Sequence, residues 1–230
     1  MSHLKRQQVP KKWPIERKGS VYVVRTASGL NEGVPVLVAL RDMMKIVQNR
    51  KEAKNAIHSR HILLNAKAVI DEKNNIQLFD TLSIVPLKKS YRLELSENGK
   101  FYFNEIKENE ANKKIAKIIN KKMLKGKKIQ LNLSDGRNFI SDMKCNVNDS
   151  VSINFKEGKI EKCIPLKEKS KVIIFAGKHS GEKGEVISLN LEEKTARINA
   201  DGRVHDIHSH SSEGQMKEEN ILIKQLMATE

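Results

Sequence analysis

At Pro86 the hydrophobic period of this 230-residue chain changes, and that change restricts the fold more than any other feature. Before it, Leu37, Leu40, Met44 and Val47 recur at the spacing of one helix face, which predicts a helix from Val36 to Val47. Arg41 and Lys45 are four apart and share a neighbouring face. Asn49 stands three residues before Glu52, a capping-box pair that predicts a second helix from about Arg50. That helix carries Arg50, Lys51 and Lys54 on its polar side and Ala53, Ala56 and Ile57 inward. Ile62-Leu63-Leu64 and Leu82-Ser83-Ile84-Val85 read as short strands, the second stopped by Pro86. Beyond Pro86 the period is two. Tyr91 to Leu95, Ile129 to Leu133 and Val151 to Phe155 alternate, and the turns Glu97-Asn98-Gly99, Ser134-Asp135-Gly136 and Glu157-Gly158 follow them. Phe101-Tyr102-Phe103 and Ile160 to Ile164 read as returning strands. Short strands at this interval indicate a small barrel or sandwich.

Charge decides the kind of partner. Lys and Arg number 43 against 28 Asp and Glu, a net charge of +15. Such an excess repels itself unless a polyanion screens it, so nucleic acid or an anionic membrane surface is implied. A membrane-spanning helix is not expected, because no apolar run of about 18 residues occurs. The N-terminus lacks the apolar core of a signal peptide, and Pro10, Trp13 and Pro14 fit a transit peptide poorly. Aromatic residues make up 4% of the chain, which favours reading of phosphates and shape over base stacking.

Residues 3 to 18 read as an extended basic arm. Lys5, Arg6, Lys11, Lys12, Arg17 and Lys18 face one acid, Glu16, and Pro10 and Pro14 discourage a helix. Trp13 has two readings: an anchor packed on the body, or part of an arm that orders against RNA. Val21 to Val24 is a short strand, and Thr26 to Pro35 a loop with Gly29 and Gly33. The Lys-rich stretch Lys107 to Lys128, with Ile115, Ile118 and Ile119, is either a short amphipathic helix or a solvated linker. Lys171 to Leu189 reads as strand, glycine-rich turn and strand, with the second strand starting at Gly184. Gly177, Gly181 and Gly184 permit positive φ and close approach, Lys178 and Lys183 flank the turn, and His179 lies between them. Thr195 to Asn199, then Asp201-Gly202, then Ile221 to Leu226 continue the strand-and-turn pattern.

No catalytic set emerges. The glycine turn at 177–184 precedes a strand pattern, so it lacks the helix N-terminus on which phosphate loops rely. No nucleophile elbow occurs. His205, His208 and His210 are close enough in sequence for a metal, but no neighbouring Cys or Glu completes the set, and an unliganded polar loop is the expected state. Cys145 and Cys163 have neither zinc nor redox spacing and read as buried thiols in a reducing compartment, with a disulfide, a redox pair or half a metal site as alternatives.

Two modules resemble known ones. Val36 to Pro86 resembles the S-four RNA-binding domain, and Lys171 to Leu189 resembles a KOW motif. Their order, with His3-Leu4-Lys5-Arg6, Pro10, Trp13-Pro14-Ile15 and Arg17-Lys18-Gly19 in front, resembles the archaeal and eukaryotic small-subunit ribosomal S-four-e family. Val38-Ala39-Leu40-Arg41-Asp42, Lys128 to Leu133 and Asp135-Gly136-Arg137-Asn138 add to it, so the resemblance spans about 3 to 226. Arg60 and Ala66 depart from it, standing where the family usually has Gly, and the stretch from Gly202 to Gly214 is hard to match. Short length and modest tails favour an archaeal member.

The resemblance implies a mixed α+β, mostly β chain. Its expected parts are a basic N-terminal arm and strand (1–35), a helix-helix-strand RNA-binding domain (36–90), a central small β domain (91–168) and an SH3-like barrel with the KOW hairpin (169–230). It implies a structural, non-enzymatic constituent of the small subunit, cytoplasmic and within the ribosome. No cofactor or metal is expected. The partners implied are small-subunit ribosomal RNA in the subunit body and neighbouring ribosomal proteins, with no membrane. RNA contacts are expected from the arm cations with Trp13, from Arg25, from Arg41, Lys45, Arg50, Lys51, Lys54, Arg60 and Lys67, and from Lys178, His179 and Lys183. Rival readings are an RNA-modifying enzyme with an appended S-four domain, a transcription elongation factor with a KOW motif, and a protein held on membranes by charge. The chain is too short and too β-repetitive for the first. It has no polymerase-binding domain ahead of the hairpin for the second. No helix with a large apolar face supports the third.

Overall fold

A computed structural model describes residues 3–126, 128–141, 143–190, 195–200, 203–205, 221–222 and 226–229, with backbone alone at 203–205 and 221–222. The described residues are mostly strand, with two short helices. They divide into two compact units. One holds Met1–Ser96, Lys100–Lys114 and Phe155–Glu157, the other Glu97–Gly99, Ile115–Asn154 and Gly158–Glu230.

In the first unit, β1 (Leu4–Lys5) pairs antiparallel with β2 (Tyr22–Val23), Leu4 opposite Val23. The N-terminal segment, expected as an extended arm, is thus tied to the first unit by a strand pair. Leu4 and Trp13 are buried in the core, and Val9 and Ile15 pack against it. The Trp13 indole Nε1 donates to the Gly33 carbonyl at 2.8 Å. Trp13 packs as an anchor on the body and is 3% exposed. The lysines and arginines dominate this stretch by number, but the apolar residues between them decide where it lies.

β3 (Gly33–Pro35) leads into α1 (Val36–Val38), which continues as a π-helical turn over Ala39–Met43. The expected helix to Val47 thus ends early. Met44 N–H reaches back to Ala39 O at 2.9 Å, and Lys45 adopts φ 54°, which no helix continues through. Val36 to Leu40 are all buried, so this helix has no polar face here and Arg41 and Lys45 do not share one. Pro35 supplies no cap. Instead the Val36 and Leu37 N–H groups donate to Asn74 O (3.0 Å) and Glu72 O (3.1 Å). α2 (Arg50–His58) starts where the capping box predicts: Glu52 N–H donates to Asn49 Oδ1 at 3.0 Å, and Glu52 Oε2 accepts from Gln48 N–H at 2.8 Å. Ala53 and Ile57 are its buried residues. It ends with Arg60 in the left-handed region at φ 56° and His61 N–H bonded to Ala56 O.

β4 (Ile62–Leu64) turns through Asn65 and Ala66, both left-handed at φ 52° and 62°, into β5 (Lys67–Ala68). β6 (Asn75–Gln77) pairs with β3, and the approach is so close that a Cβ on Gly33 would collide with the Ile76 carbonyl. β7 (Thr81–Ile84), β8 (Lys89–Leu95) and β9 (Phe101–Ile106) complete a sheet in the order β5-β4-β7-β8-β9. The hairpin Lys89–Ile106 is thus part of the same sheet as the strands before Pro86, and that sheet continues past residue 90. Buried Asp80 fixes this region. Its carboxylate accepts from Asn65 Nδ2 (2.8 Å), Gln77 N–H (2.8 Å) and buried Lys114 Nζ (2.6 Å).

β10 (Lys113–Met123) opens a second sheet with β11 (Ile129–Leu133), β12 (Asn138–Ile140), β13 (Ser150–Asn154) and β14 (Lys159–Ile164), in the order β12-β11-β10-β13-β14. The stretch read as helix or linker is therefore a strand of 11 residues. The Lys stems hid the signal: Lys114 is buried on the face of Ala116 and Ile118, and Lys117 is buried on the opposite face. Lys117 Nζ donates to Leu226 O at 2.9 Å, and burial lowers its pKa to about 8.

The last sheet holds β15 (Lys171–Ile174), β16 (Lys183–Asn190), β17 (Thr195–Ala200), β18 (Arg203–His205), β19 (Ile221–Leu222) and β20 (Leu226–Ala228), in the order β18-β17-β16-β15-β20 with β19 on β17. Val172, Ile174, Val186, Ala196, Ile198, Leu226 and Ala228 form its core. Gly184 is required by packing: a Cβ there would collide with the Asn199 carbonyl. Cys145 is buried, Cys163 half-buried, and both are free thiols; burial is the first cause that pushes the Cys163 thiol up to about 12. His208 and His210 lie outside the described residues, as does the side chain of His205.

Candidate nucleic-acid interface

The first unit carries a groove of about 1020 Å³ in which cations from four segments meet. β1 and β2 contribute His3, Leu4, Tyr22 and Val23, and the following segment Arg25. α1 contributes Leu37, the π-helical turn after it Arg41, α2 its first residue Arg50, and the turn after Val69 contributes Asp71 and Lys73. The same hydrogen bonds that cap α1 assemble this groove. They hold Glu72 and Asn74 against the helix start, and Ala27 N–H adds a bond to Lys73 O at 2.9 Å.

Arg41 and Arg50 are held by acids. Arg41 donates to Asp42 through Nε (3.0 Å) and Nη2 (2.8 Å), and this bond raises its pKa. Arg50 donates through Nε to both Glu72 oxygens (2.9 and 3.1 Å) and through Nη2 to Oε1, and that bond raises its pKa too. The Glu72 side chain is 3% exposed, while that of Arg50 is 54% exposed. Each guanidinium is therefore oriented from behind, with Nη1 left for a further acceptor. Nη1 of each can donate to an anionic oxygen, of a phosphate or of a carboxylate.

The structure brings together Arg25, Arg41 and Arg50 of the expected contacts. Lys51 and Lys54 lie exposed on α2, Lys54 at 4.0 Å from Glu72. Lys45, Arg60 and Lys67 are exposed and outside the groove lining. Lys5, Lys11, Arg17 and Lys18 are exposed. Arg6 is not turned outward. It donates to Ser20 O (2.8 Å), Glu16 O (2.7 Å) and Ser20 Oγ (2.8 Å), closing the loop between β1 and β2. Lys12 is half-buried with its pKa lowered by desolvation, its Nζ 6.0 Å from the Phe101 ring centroid.

In the second unit Lys178 and Lys183 are exposed on the glycine turn. His179 is half-buried, its Nδ1 3.0 Å from Glu182 Oε1 inside the turn, so its ring is committed locally. Gly177 and Gly181 adopt φ 92° and 106°. Among the described residues no three His, Cys, Asp or Glu side chains are placed to hold a metal.

His3, Tyr22 and Lys73 were not expected. For Tyr22 the signal was alternation: Tyr22 is 55% exposed while Val23 packs inward. For Lys73 it was the turn chemistry of Asp71 to Asn74, which places a cation beside the helix start.

Comparison with known proteins gives a consistent answer. The model for "Ribosomal family S4e" matches residues 87–160, and the RS4NT (NUC023) domain model matches residues 2–29. The small ribosomal subunit protein eS4 of Methanocella arvoryzae is 36% identical over 198 residues, covering 85% of this chain and 84% of the relative. That of Methanospirillum hungatei is 37% identical over 190 residues, covering 80% and 79%. That of Nanoarchaeum equitans is 35% identical over 196 residues, covering 82% and 84%. Among solved structures, the crystal structure of the 30S ribosomal protein S4e from Thermoplasma acidophilum superposes with a TM-score of 0.68 at 22% identity, covering 86% of this chain and 94% of that one.

Proposed function

We infer function from one premise: this chain belongs to ribosomal family S4e. It is a structural constituent of the small ribosomal subunit, acts within the ribosome in the cytoplasm, and is not an enzyme. Its partners are ribosomal RNA and other ribosomal proteins. Among the described residues no helix is long and apolar enough to cross a membrane.

Beyond that premise, the groove of the first unit is the principal RNA contact. Supporting this is one observation: Arg41 and Arg50 are oriented by Asp42 and Glu72 at the same groove that Arg25 and Lys73 line. Residues 36–90 act as an S-four-like module that presents it. Lys45, Lys51, Lys54, Arg60 and Lys67 extend the positive surface around it, and Lys5, Lys11, Arg17 and Lys18 supply further cations from the N-terminal segment. The turn of Lys178 and Lys183, in a KOW hairpin on an SH3-like barrel, is a second and weaker contact. Several modest contacts on one chain raise one another's effective concentration and so fix one orientation. Phosphate contacts position the protein and carry no sequence information directly.

Sedimentation of the tagged chain from its source cells through a high-salt gradient tests this. Co-migration with the small subunit is expected. Recovery only in the free soluble fraction overturns it.

A further inference from the structure

The groove has an apolar and aromatic wall that a phosphate does not use. Leu4, Val23 and Leu37 line it alongside the cations, and so do His3 and Tyr22. The His3 and Tyr22 rings lie 5.2 Å apart between centroids, tilted by 45°. Tyr22 is 55% exposed in a chain with only three tyrosines and one tryptophan. An exposed ring flanked by imidazole and backed by aliphatic side chains is a poor surface for an RNA backbone. It is a good one for the face of a base.

The groove volume, about 1020 Å³, lies just above the roughly 300–1,000 Å³ of sites that enclose small ligands. A groove lined both by an exposed aromatic ring and by Arg25, Arg41, Arg50 and Lys73 offers a surface to each half of a nucleotide. Stacked A-form helix cannot supply this ligand, because its bases are covered on both faces; an unpaired residue in a loop or bulge can.

We propose that this groove captures one unstacked nucleotide of the ribosomal RNA, its base against Tyr22 and its phosphate at Arg25, Arg41, Arg50 and Lys73. The proposal rests on the RNA-contact reading of the groove and adds to it the class of nucleotide bound. Stacking on an aromatic ring is sequence-tolerant, so any base suffices in this position. The gain from stacking is independent of salt, whereas that from the phosphate contacts is not.

That difference separates the two ideas in one experiment. Affinity of the full chain for small-subunit ribosomal RNA is measured across a range of KCl for wild type, Tyr22→Ala, Tyr22→Trp and Arg25→Ala, and the RNA is probed with base-modifying reagents in each complex. Tyr22→Ala is expected to weaken binding about 5- to 100-fold with the salt slope unchanged. Tyr22→Trp is expected to bind like wild type. One unpaired base should be shielded by wild type and Tyr22→Trp but reactive with Tyr22→Ala. Arg25→Ala should lower the slope by about one. Unchanged affinity and unchanged base reactivity for Tyr22→Ala, with a lower slope for Arg25→Ala, overturns stacking and leaves the phosphate contact standing. No change in either variant overturns both. Thermal unfolding of Tyr22→Ala at the wild-type temperature assigns its loss to binding; a lowered temperature together with a lost affinity in Tyr22→Trp overturns stacking in favour of a structural role.

Discussion

The groove of the first unit and the glycine turn of the second present cations by opposite means. Arg41 and Arg50 are held by Asp42 and buried Glu72, so their orientation is fixed before any partner arrives. Lys183 stands exposed beside a turn shaped by Gly177 and Gly181. Ordering a long side chain on binding costs about 0.5–1.5 kcal/mol, and the groove arginines have met most of that cost in folding. The contrast teaches that equal charges need not make equal contacts. On the proposed RNA-contact reading each region sheds counterions alike, and the preorganised one is expected to gain more affinity per phosphate.

The largest way to break the contrast is Trp13→Ala. Trp13 pins the segment whose two ends form β1 and β2, one wall of the groove. Its loss should destabilise the fold by about 3–5 kcal/mol, measured by urea unfolding, and should abolish tight RNA binding. Retained stability would mean that the N-terminal segment is held by other contacts.

Next in size is a cation that serves the core. Lys117 is buried in the second unit with its pKa lowered to about 8. A lysine pKa lowered in the folded state means that the unfolded chain binds more protons between about pH 8 and 10.4. Stability should therefore rise with pH across that window, by at most about 3 kcal/mol for this group. Lys117→Met should remove that share of the rise when stability is compared at pH 7.5 and 10.

Between groove and turn, Arg41→Ala and Lys183→Ala sharpen the comparison directly. Both should lower the salt slope of RNA binding by about one. Arg41→Ala should cost about 1–3 kcal/mol of affinity, as for charged hydrogen bonds, and Lys183→Ala less than about 1 kcal/mol. Equal losses would remove the case for preorganisation.

The smallest effects come from two strained residues. Arg60 and Ala66 hold φ 56° and 62°, a backbone conformation that suits glycine. Arg60→Gly and Ala66→Gly should each stabilise the first unit by about 1 kcal/mol in thermal melts, and Arg60→Gly should also weaken RNA binding slightly through its lost charge.

Much of this was legible in the sequence where one local rule acted alone. The capping box of Asn49 and Glu52 starts α2 at Arg50, and alternation places β11 over Ile129–Leu133. The sequence misled where a side chain had two natures. Lysine stems at 114 and 117 are buried like aliphatic residues, so β10 reads as polar. In the N-terminal segment charge outnumbers Leu4, Val9, Trp13 and Ile15, yet these four dock it. The end of α1 depends on Lys45 adopting a left-handed conformation, which no periodicity signals. Arg25, Arg41 and Arg50 were expected as contacts, but Lys73, His3 and Tyr22 were not, because pairing between distant segments brings them to the groove.

The most direct test is the salt dependence of ribosomal RNA binding by two double variants, Arg25→Ala/Arg41→Ala and Lys178→Ala/Lys183→Ala. The account predicts that each lowers the slope by about two, with the groove pair losing at least tenfold more affinity than the turn pair. An unchanged slope for the groove pair, or a greater loss for the turn pair, would contradict it.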